Sequence, residues 1–505
     1  MRHRMRHPIV TAVLTLLPFV HIPAQATAPT PATQFSPAEY AARRDSLAAR
    51  IDSGVVVALG GRTPVADFGP FYQLPAFRYL TGFEEADAAF VMVARRGRGT
   101  STLFVTQMEP RRALYYGQRP DTATIQRTMG IAARSASALA SVLDSLAGMG
   151  LPIYELRDFE AADFARADSL TRGGQLMRSL AARRPGLVMR DAHTIVDELR
   201  ARKSPAEQAL IRKAAEISAE GHRALMRGAE PGMHEYDLQA IAEYAFRRQG
   251  AERPAYGSIV GAGPNSLLLH YMKNRREVKA GDVVVIDAGA EYGGYTADVT
   301  RTIPMSGTFT PAQRAIYQLV RDAQAAAERN SRPGMSAPAA EDSSYEVRAR
   351  GLARLGLIES ADAMFDPPWA ADCQRTPRQC RQATLFTIHG ISHGIGLAVH
   401  DPAQFYTGDR TFKSGDAFTI EPGVYVSARL LDLLADTPKN RAFAAKARPA
   451  VGRYEGVGVR IEDDYIVTER GLEWITRGAP REIAEIEALM AKRAPPPVPD
   501  EGGQR

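Results

Sequence analysis

Two spacings of apolar residues divide the first part of the chain into short strands and helices. Apolar runs at 54–60, 88–94 and 102–105 predict strands, because they are short and rich in β-branched and aromatic residues. The spacing of apolar residues within 135–149 and 170–183 predicts helices. Strands alternating with helices predict a compact α/β domain over residues 35–190, and no phosphate loop or dinucleotide fingerprint occurs in it.

The second part of the chain contains long helices with well-marked starts. The sequences SPAE from Ser204 and TPAQ from Thr310 each combine a capping side chain, a proline at the first helical position and a capping-box acid or amide. Another amphipathic helix is predicted from Gly232 to about Gln249. Because about 480 residues exceed what one core usually organises, we expect a second domain over residues 198–490.

A strand followed by a tight turn brings two carboxylates together in the segment KAGDVVVIDAGAEYGGYTAD, residues 279–298. The apolar run from Val283 predicts a buried strand that ends at Asp287. A hairpin centred on the Gly293-Gly294 pair places Asp298 opposite Asp287 or one diagonal step away, on the same face. Burying two unpaired carboxylates is costly, which favours a cation between them. A solvent-facing hairpin with two ordinary acids is the alternative.

A second segment repeats this pattern. Residues 413–423, KSGDAFTIEPG, match KAGDVVVIDAG in the lysine, the Gly-Asp turn, the isoleucine and the acid at the strand end. The match predicts a duplicated half-domain whose copies bring Asp287 and Glu421 to a shared centre. Pro422 stops the second strand directly after Glu421.

Three of the ten histidines, His389, His393 and His400, lie within twelve residues of a glycine-rich segment. The glycines argue against a helix, and the glutamate of a helical zinc-protease motif is absent. A single histidine more often has a structural role, but a cluster beside an acidic centre favours a ligand. We therefore add His393 to the candidate site.

The last candidate acid comes from an alternating strand at residues 456–464, GVGVRIEDD. Alternation places Glu462 on the polar face with Arg460, whereas Asp463 points to the opposite face. An Arg460–Glu462 salt bridge on a surface strand is the alternative. With Glu462, four carboxylates and one imidazole form a set of hard ligands that suits Mn²⁺ and balances two divalent ions about 3.5 to 4 Å apart. The candidate metal ligands are Asp287, Asp298, His393, Glu421 and Glu462.

Composition and charge narrow the possible partners. The chain is 45% hydrophobic and 24% charged, as in an ordinary soluble protein, and its net charge of +6 is spread among mixed charges. This pattern indicates no nucleic-acid-binding surface. The two cysteines, Cys373 and Cys380, lie in one polar loop, where they form either a local disulfide or two free thiols.

The two ends of the chain are predicted to lie outside the fold. Three arginines, an apolar run at 9–20 and Ala24-Gln25-Ala26 predict an export signal over residues 1–26, with a retained anchor as the alternative. No other segment is long and apolar enough to cross a membrane. The proline-rich residues 494–505 predict a disordered tail.

Together these motifs resemble the pita-bread metallopeptidases, and within them the Xaa-Pro aminopeptidases and prolidases. Between about 198 and 490 the resemblance is carried by LHY, IDAG, ADVTRT, HGISHGIGLAVHD, IEPG and GVGVRIEDD, and residues 77–85 resemble the N-terminal domain of the same enzymes. The resemblance implies an α/β (α+β) protein. It would have a creatinase-like N-terminal α/β domain followed by a C-terminal pita-bread catalytic domain with pseudo-twofold halves.

The resemblance also implies a role for each matching residue. Asp287 would chelate one metal ion, Asp298 and Glu462 would bridge two ions, and His393 with Glu421 would complete the second site. Glu421 would also take a proton from the attacking water and pass it to the leaving proline nitrogen. The remaining matches would line the substrate site, with His400 stabilising the tetrahedral intermediate and His270 contacting the substrate backbone; they are His270, His389, His400, Tyr425 and Arg200.

The expected function is that of an exported, periplasmic or secreted aminopeptidase that cleaves before a proline at the second position of peptides. A homo-oligomer, dimer or tetramer, is expected from the family. The Cys373–Cys380 loop and the 430–449 insertion after Tyr425 are expected to flank the cleft. They could narrow it toward dipeptides, so a prolidase is the first alternative. A non-catalytic pita-bread binding protein is the second.

Overall fold

The computed structural model of the protein describes residues 35–64, 69–156, 172–406 and 408–492. The predicted export signal at 1–26 and the predicted tail at 494–505 lie outside the described residues. Among the helices within these ranges, none has the length and apolar character needed to span a membrane.

Most helices begin after a side chain that accepts a hydrogen bond from a first-turn N–H, or with a proline, which has no N–H to satisfy. Ser204 and Thr310 each cap a helix in a complete capping box, as predicted from the sequence. The helices of the described ranges are α1 (Pro37–Ile51), α2 (Pro75–Thr81), α3 (Pro110–Tyr116), α4 (Thr122–Met129), α5 (Leu139–Ala147), α6 (Arg172–Arg183), α7 (His193–Ala201), α8 (Pro205–Gly228), α9 (Glu235–Arg248), α10 (Pro311–Arg329), α11 (Ala337–Arg354), α12 (Ala428–Asp432), α13 (Pro438–Tyr454) and α14 (Ile483–Met490).

The strands are short and mostly buried. They are β1 (Gly54–Leu59), β2 (Ala89–Arg95), β3 (Arg98–Val105), β4 (Ala132–Ser135), β5 (Ile153–Leu156), β6 (Met189–Asp191), β7 (Arg253–Pro254), β8 (Ile259–Ala262), β9 (Val283–Asp287), β10 (Ala290–Tyr292), β11 (Tyr295–Thr296), β12 (Thr300–Pro304), β13 (Ala417–Ile420), β14 (Gly423–Val426), β15 (Val457–Arg460), β16 (Asp463–Thr468) and β17 (Gly471–Trp474).

The N-terminal region is built on a six-stranded sheet in the order β4-β3-β2-β1-β5-β6. Alternate side chains of β1 pack in two different hydrophobic cores, because successive side chains along a strand point to opposite faces of the sheet. Val56 packs with helices α1 and α2, whereas Val55 and Val57 pack with α5 and α6. Helices therefore cover both faces of the sheet, and the three predicted strands are confirmed.

The C-terminal region contains two similar strand ladders. Strand β9 lies between β8 and β12, and β13 pairs with β16 on one side and with Gly394 on the other. Each ladder is entered through the same turn: Asp282 accepts the Lys279 N–H and Asp416 accepts the Lys413 N–H, both at 2.8 Å. The predicted repeat is therefore visible in the structure.

The two ladders join where Thr300 pairs with Glu462. Helices α8 to α11 and α13 enclose this centre with a large apolar core. The acids at the ends of β9 and β13 consequently approach each other inside the domain and not on its surface.

Candidate metal centre and active site

The hairpin that carries Asp287 and Asp298 has the predicted register. Thr300 is the cross-strand partner of Asp287, and Glu291 is the partner of Thr296 nearer the turn. Asp298 therefore lies one diagonal step from Asp287. The two backbone segments of the hairpin lie so close together near these acids that a Cβ on Gly289 would overlap the Ala297 carbonyl oxygen.

The second ladder brings the imidazole and the other two acids to the same place. His393 Nε2 lies 3.5 Å from Asp298 Oδ2, 3.6 Å from Glu421 Oε1 and 3.7 Å from Glu462 Oε1. Ligand atoms of Asp298, His393 and Glu462 all lie within 4.8 Å of one another. One ion could therefore contact all three side chains. Asp463 points away and pairs with Arg301 at 2.6 Å, as alternation predicted.

Asp287 is joined to this group through a phenol that the sequence analysis did not select. The Tyr256 hydroxyl lies 2.6 Å from Asp287 Oδ1 and 2.5 Å from Asp298 Oδ1. It has one proton to donate, so the two carboxylates must share it. Burial raises the pKa of Tyr256 well above its usual range, and the Asp287 charge adds to this effect. The tyrosine therefore stays protonated and holds both acids on one face.

The carboxylates of the cluster are buried close together, so positive charge among them would be stabilising. Burial, followed by repulsion from Glu462, raises the pKa of both Asp298 and Glu421 well above the usual range. Burial lowers the pKa of His393, but the nearby carboxylates of Asp298 and Glu462 outweigh this effect and raise the pKa well above the usual range. Bound cations would offset the repulsion among these carboxylates.

One atom provides a direct test of whether metal ions fit here. Glu462 Oε1 is fully buried and has no hydrogen-bond donor among the described residues, although it faces the cluster. Its other oxygen accepts the Thr300 hydroxyl at 2.7 Å. A buried carboxylate oxygen without a donor is costly, and a divalent cation satisfies it. The residues therefore fit the expected metal ions.

Arg460 connects the cluster to the substrate side of the site. Its Nη2 lies 2.6 Å from Asp287 Oδ2, and its Nη1 donates to the Tyr425 hydroxyl at 3.0 Å. The Tyr425 hydroxyl in turn lies 2.9 Å from His389 Nε2. The alternative of a surface Arg460–Glu462 pair is wrong, because Arg460 is 3% exposed and turns toward Asp287.

Three histidines surround the cluster in the expected region. Desolvation, reinforced by Arg460, lowers the pKa of His389 to about 3, and desolvation with the neighbouring His393 lowers the pKa of His400 to about 4. The rings of His393 and His400 lie 4.2 Å apart. His270 is exposed and close enough to lower both pKa values further. His389 and His400 are therefore neutral hydrogen-bonding groups at pH 7.

Arg200 is buried inside the protein, and its predicted role in substrate binding stays a prediction. It is 2% exposed, and its Nε lies 2.8 Å from Asp401 Oδ1. The other Asp401 oxygen accepts the Leu397 N–H at 2.6 Å. Arg200 therefore acts on the loop that carries His400 and fixes its position from inside the protein.

Asp464 is a further acid that the sequence analysis left out. Its Oδ2 accepts the Asp298 N–H at 2.9 Å, and burial followed by the Asp298 charge raises its pKa well above the usual range. Alternation along the strand gave no reason to select Asp464. Its contact with Asp298 forms only because the two halves of the domain pair with each other.

Of the two segments expected to flank the cleft, one does so. Cys373 and Cys380 form a disulfide with a Cα–Cα distance of 5.7 Å, and the loop they close borders a cavity beside His389. The 430–449 segment does not line this cavity. Asn440 of that segment accepts the N–H of Asp366, seven residues before Cys373, at 2.9 Å.

Comparison with known proteins identifies the family. Residues 209–469 match the family described as Metallopeptidase family M24, and residues 40–153 match the family described as Aminopeptidase P, N-terminal domain. The chain is 32% identical to the Xaa-Pro aminopeptidase of Escherichia coli (strain K12), over 91% of this chain and 98% of that protein. The chain belongs to metallopeptidase family M24. It is therefore a metal-dependent hydrolase.

Solved structures agree with this assignment of the M24 enzyme. The structure described as zinc-substituted E. coli aminopeptidase P in complex with product superposes with a TM-score of 0.73 at 32% identity, covering 91% of this chain and 100% of that one. The human Xaa-Pro dipeptidase is also 32% identical, over 59% of this chain and 62% of that protein. The expected fold class is confirmed. The limits predicted for the two domains, 35–190 and 198–490, stay predictions.

Proposed function

We propose that this M24 enzyme is an Xaa-Pro aminopeptidase that binds two divalent metal ions, for which Mn²⁺ is the best candidate. The observation that carries the proposal is the buried cluster of Asp298, His393, Glu421 and Glu462, in which one carboxylate oxygen has no donor among the described residues. The similarity to enzymes named Xaa-Pro aminopeptidase over almost the whole chain supports the substrate. Four carboxylates with one imidazole are hard ligands that suit Mn²⁺.

The ligands Asp287, Asp298, His393, Glu421 and Glu462 would hold the metal ions. When bound, the ions polarise the scissile carbonyl and lower the pKa of the water that attacks it. Glu421 takes the proton from this water and delivers it to the proline nitrogen. Positioned proton transfer of this kind contributes about 10²- to 10⁴-fold to rate.

The neutral histidines bind and orient the substrate. His400, whose ring is tilted against that of His393, would donate a hydrogen bond to the oxyanion that develops on the scissile carbonyl. The hydrogen bonds from Arg460 through Tyr425 to His389 fix the His389 imidazole, whose Nδ1 lies 3.6 Å from Glu421 Oε2. Proline in the second position has no N–H and a rigid ring. Proteases that hold an extended backbone through that N–H lose a bond, whereas this site relies on the carbonyl.

Export to the periplasm or the medium is part of the proposal. It is supported by the arginines and apolar run at the start of the chain and by the cysteine pair, since disulfides persist in oxidising compartments. A dimer or tetramer is proposed from the family resemblance. Fractionation of cells that express the full chain tests the location, and light scattering of the purified enzyme tests the assembly.

A prolidase is the second candidate, favoured by the similarity to human Xaa-Pro dipeptidase and by the loop beside His389. The deciding experiment measures release of the first residue from Xaa-Pro-Xaa tripeptides and Xaa-Pro dipeptides, with and without Mn²⁺. Cleavage of tripeptides only with metal supports the aminopeptidase. Cleavage of dipeptides alone makes it a prolidase, and no cleavage by the metal-loaded protein favours a binding protein.

A further inference from the structure

A cavity of about 770 Å³ opens beside His389, and none of the candidate metal ligands lines it. Helix α11 forms one wall with Arg348, and the disulfide-closed loop forms another with Arg378. Trp369 and Ile388, 41% and 42% exposed, add apolar surface to its lining. The cavity thus combines cationic and apolar groups next to the reaction site.

Arg348 is a buried cation without an acidic partner. It is 1% exposed, its Nη1 reaches only the Gly423 carbonyl at 3.5 Å, and its Nε has no hydrogen-bond partner among the described residues. No described carboxylate lies within ion-pair distance of it. Burial, followed by repulsion from Arg378, lowers the pKa of Arg348 to about 10, so it remains charged at pH 7.

The other charges of the cavity are already paired. Glu341, which also lines it, lies 3.4 Å from Arg378, and Asp342 lies 2.5 Å from the same guanidinium. Arg348 is therefore the charged group of the cavity lining for which no ion pair is found among the described residues. A buried charge without a partner is strongly destabilising, so an anion that enters the cavity would gain affinity from Arg348.

The cavity lies on the side of Glu421 that carries His389. Arg348 contacts the carbonyl of Gly423, two residues after Glu421, and His389 Nδ1 lies 3.6 Å from Glu421 Oε2. Glu421 delivers the proton to the proline nitrogen in the proposed reaction. The part of the peptide that begins with proline would enter this cavity where it extends past Glu421 and His389.

We propose that Arg348 binds a carboxylate in the part of the substrate that follows proline, and that this contact selects short or acidic peptides. The proposal rests on the proposed aminopeptidase function. The carboxylate can come from the C-terminus of a tripeptide or from an acidic side chain after proline. Trp369 and Ile388 would pack against the residue that bears it.

The test compares kcat/KM for three peptides, Ala-Pro-Gly, Ala-Pro-Gly amide and Ala-Pro-Asp amide, with the Mn²⁺-loaded enzyme. A charge-assisted hydrogen bond predicts that a carboxylate-bearing peptide is preferred over Ala-Pro-Gly amide by about tenfold or more. The two acidic peptides distinguish a terminal from a side-chain carboxylate. Arg348→Met should reduce the preference to about one, because the carboxylate then has no cation to pair with.

Arg350→Met is the matched control. It lies on the same helix, but its side chain is 70% exposed and does not line the cavity, so the preference should remain. Equal wild-type rates for all three peptides, or a preference that survives in Arg348→Met, would overturn the inference while leaving the proposed function intact. The comparison of the three peptides with the wild-type enzyme tests the inference even if Arg348→Met does not fold. Failure of the wild-type enzyme to cleave any of the three would overturn both.

Discussion

Replacing Arg460 by methionine isolates the residue that ties Asp287 to the substrate side of the site. The change removes a buried charge and its contacts with Asp287 at 2.6 Å, Tyr425 at 3.0 Å and Thr300 at 3.2 Å. Removing one partner of a buried ion pair costs about 3 to 5 kcal/mol. Asp287 keeps its hydrogen bond with Tyr256, so we expect a loss near the lower end, about 3 kcal/mol.

Urea unfolding of the metal-free protein measures this loss directly. Mn²⁺ titration calorimetry then gives the effect on the site, where loss of a group that orients a ligand weakens metal binding by about 10- to 100-fold. Tyr425→Phe removes one hydroxyl from the same chain of contacts. It should cost less, about 1 to 3 kcal/mol, because the charge pair remains.

Arg470→Met serves as the control for Arg460→Met. Arg470 is exposed in the turn between β16 and β17, and a surface change there shifts stability by no more than about 0.5 kcal/mol. The reasoning is refuted if Arg460→Met unfolds within about 1 kcal/mol of this control and binds Mn²⁺ as tightly as the wild type.

Three further changes probe the base, a buried histidine and the disulfide. Glu421→Gln should lower kcat by about 10²- to 10⁴-fold in a tripeptide assay, because glutamine cannot transfer the proton; a smaller loss would assign the base elsewhere. Burial, then Arg301, lowers the pKa of His222 from 6.5 to about 4, so the unfolded chain binds the extra proton and stability falls as pH drops from 6.5 to 4. His222→Gln should reduce that fall by up to about 3 kcal/mol in urea unfolding at several pH values, and an unchanged slope would contradict the assignment. Replacing Cys373 and Cys380 together by serine should cost about 2 to 3 kcal/mol, seen as a lower Tm at unchanged pH; an equal Tm would mean that the bridge adds no stability.

Local patterns selected the four candidate acids because each one lies close to the end of a strand. The glycine turn fixed the register that sets Asp298 one step from Asp287. Alternation separated Glu462, which faces His393, from Asp463, which pairs with Arg301 on the other side. The glycines of the histidine segment correctly argued against a helix there.

Contacts between distant segments could not be predicted in this way. Arg460 meets an acid 173 positions earlier, and Tyr256 meets acids 31 and 42 positions later. The alternation of β15 indicated only the face on which Arg460 lies, and the nearest acid on that face was the wrong partner. Arg200 matched a family motif, yet its position in the core is set by Asp401 on a remote loop.

The central claim is that five side chains from both halves of the domain hold a pair of metal ions. The most direct measurement is anomalous diffraction at the manganese edge from crystals of the Mn²⁺-loaded protein. The account predicts two peaks about 3.5 to 4 Å apart, in contact with Asp287, Asp298, His393, Glu421 and Glu462. A single peak, or peaks outside this cluster, would contradict it.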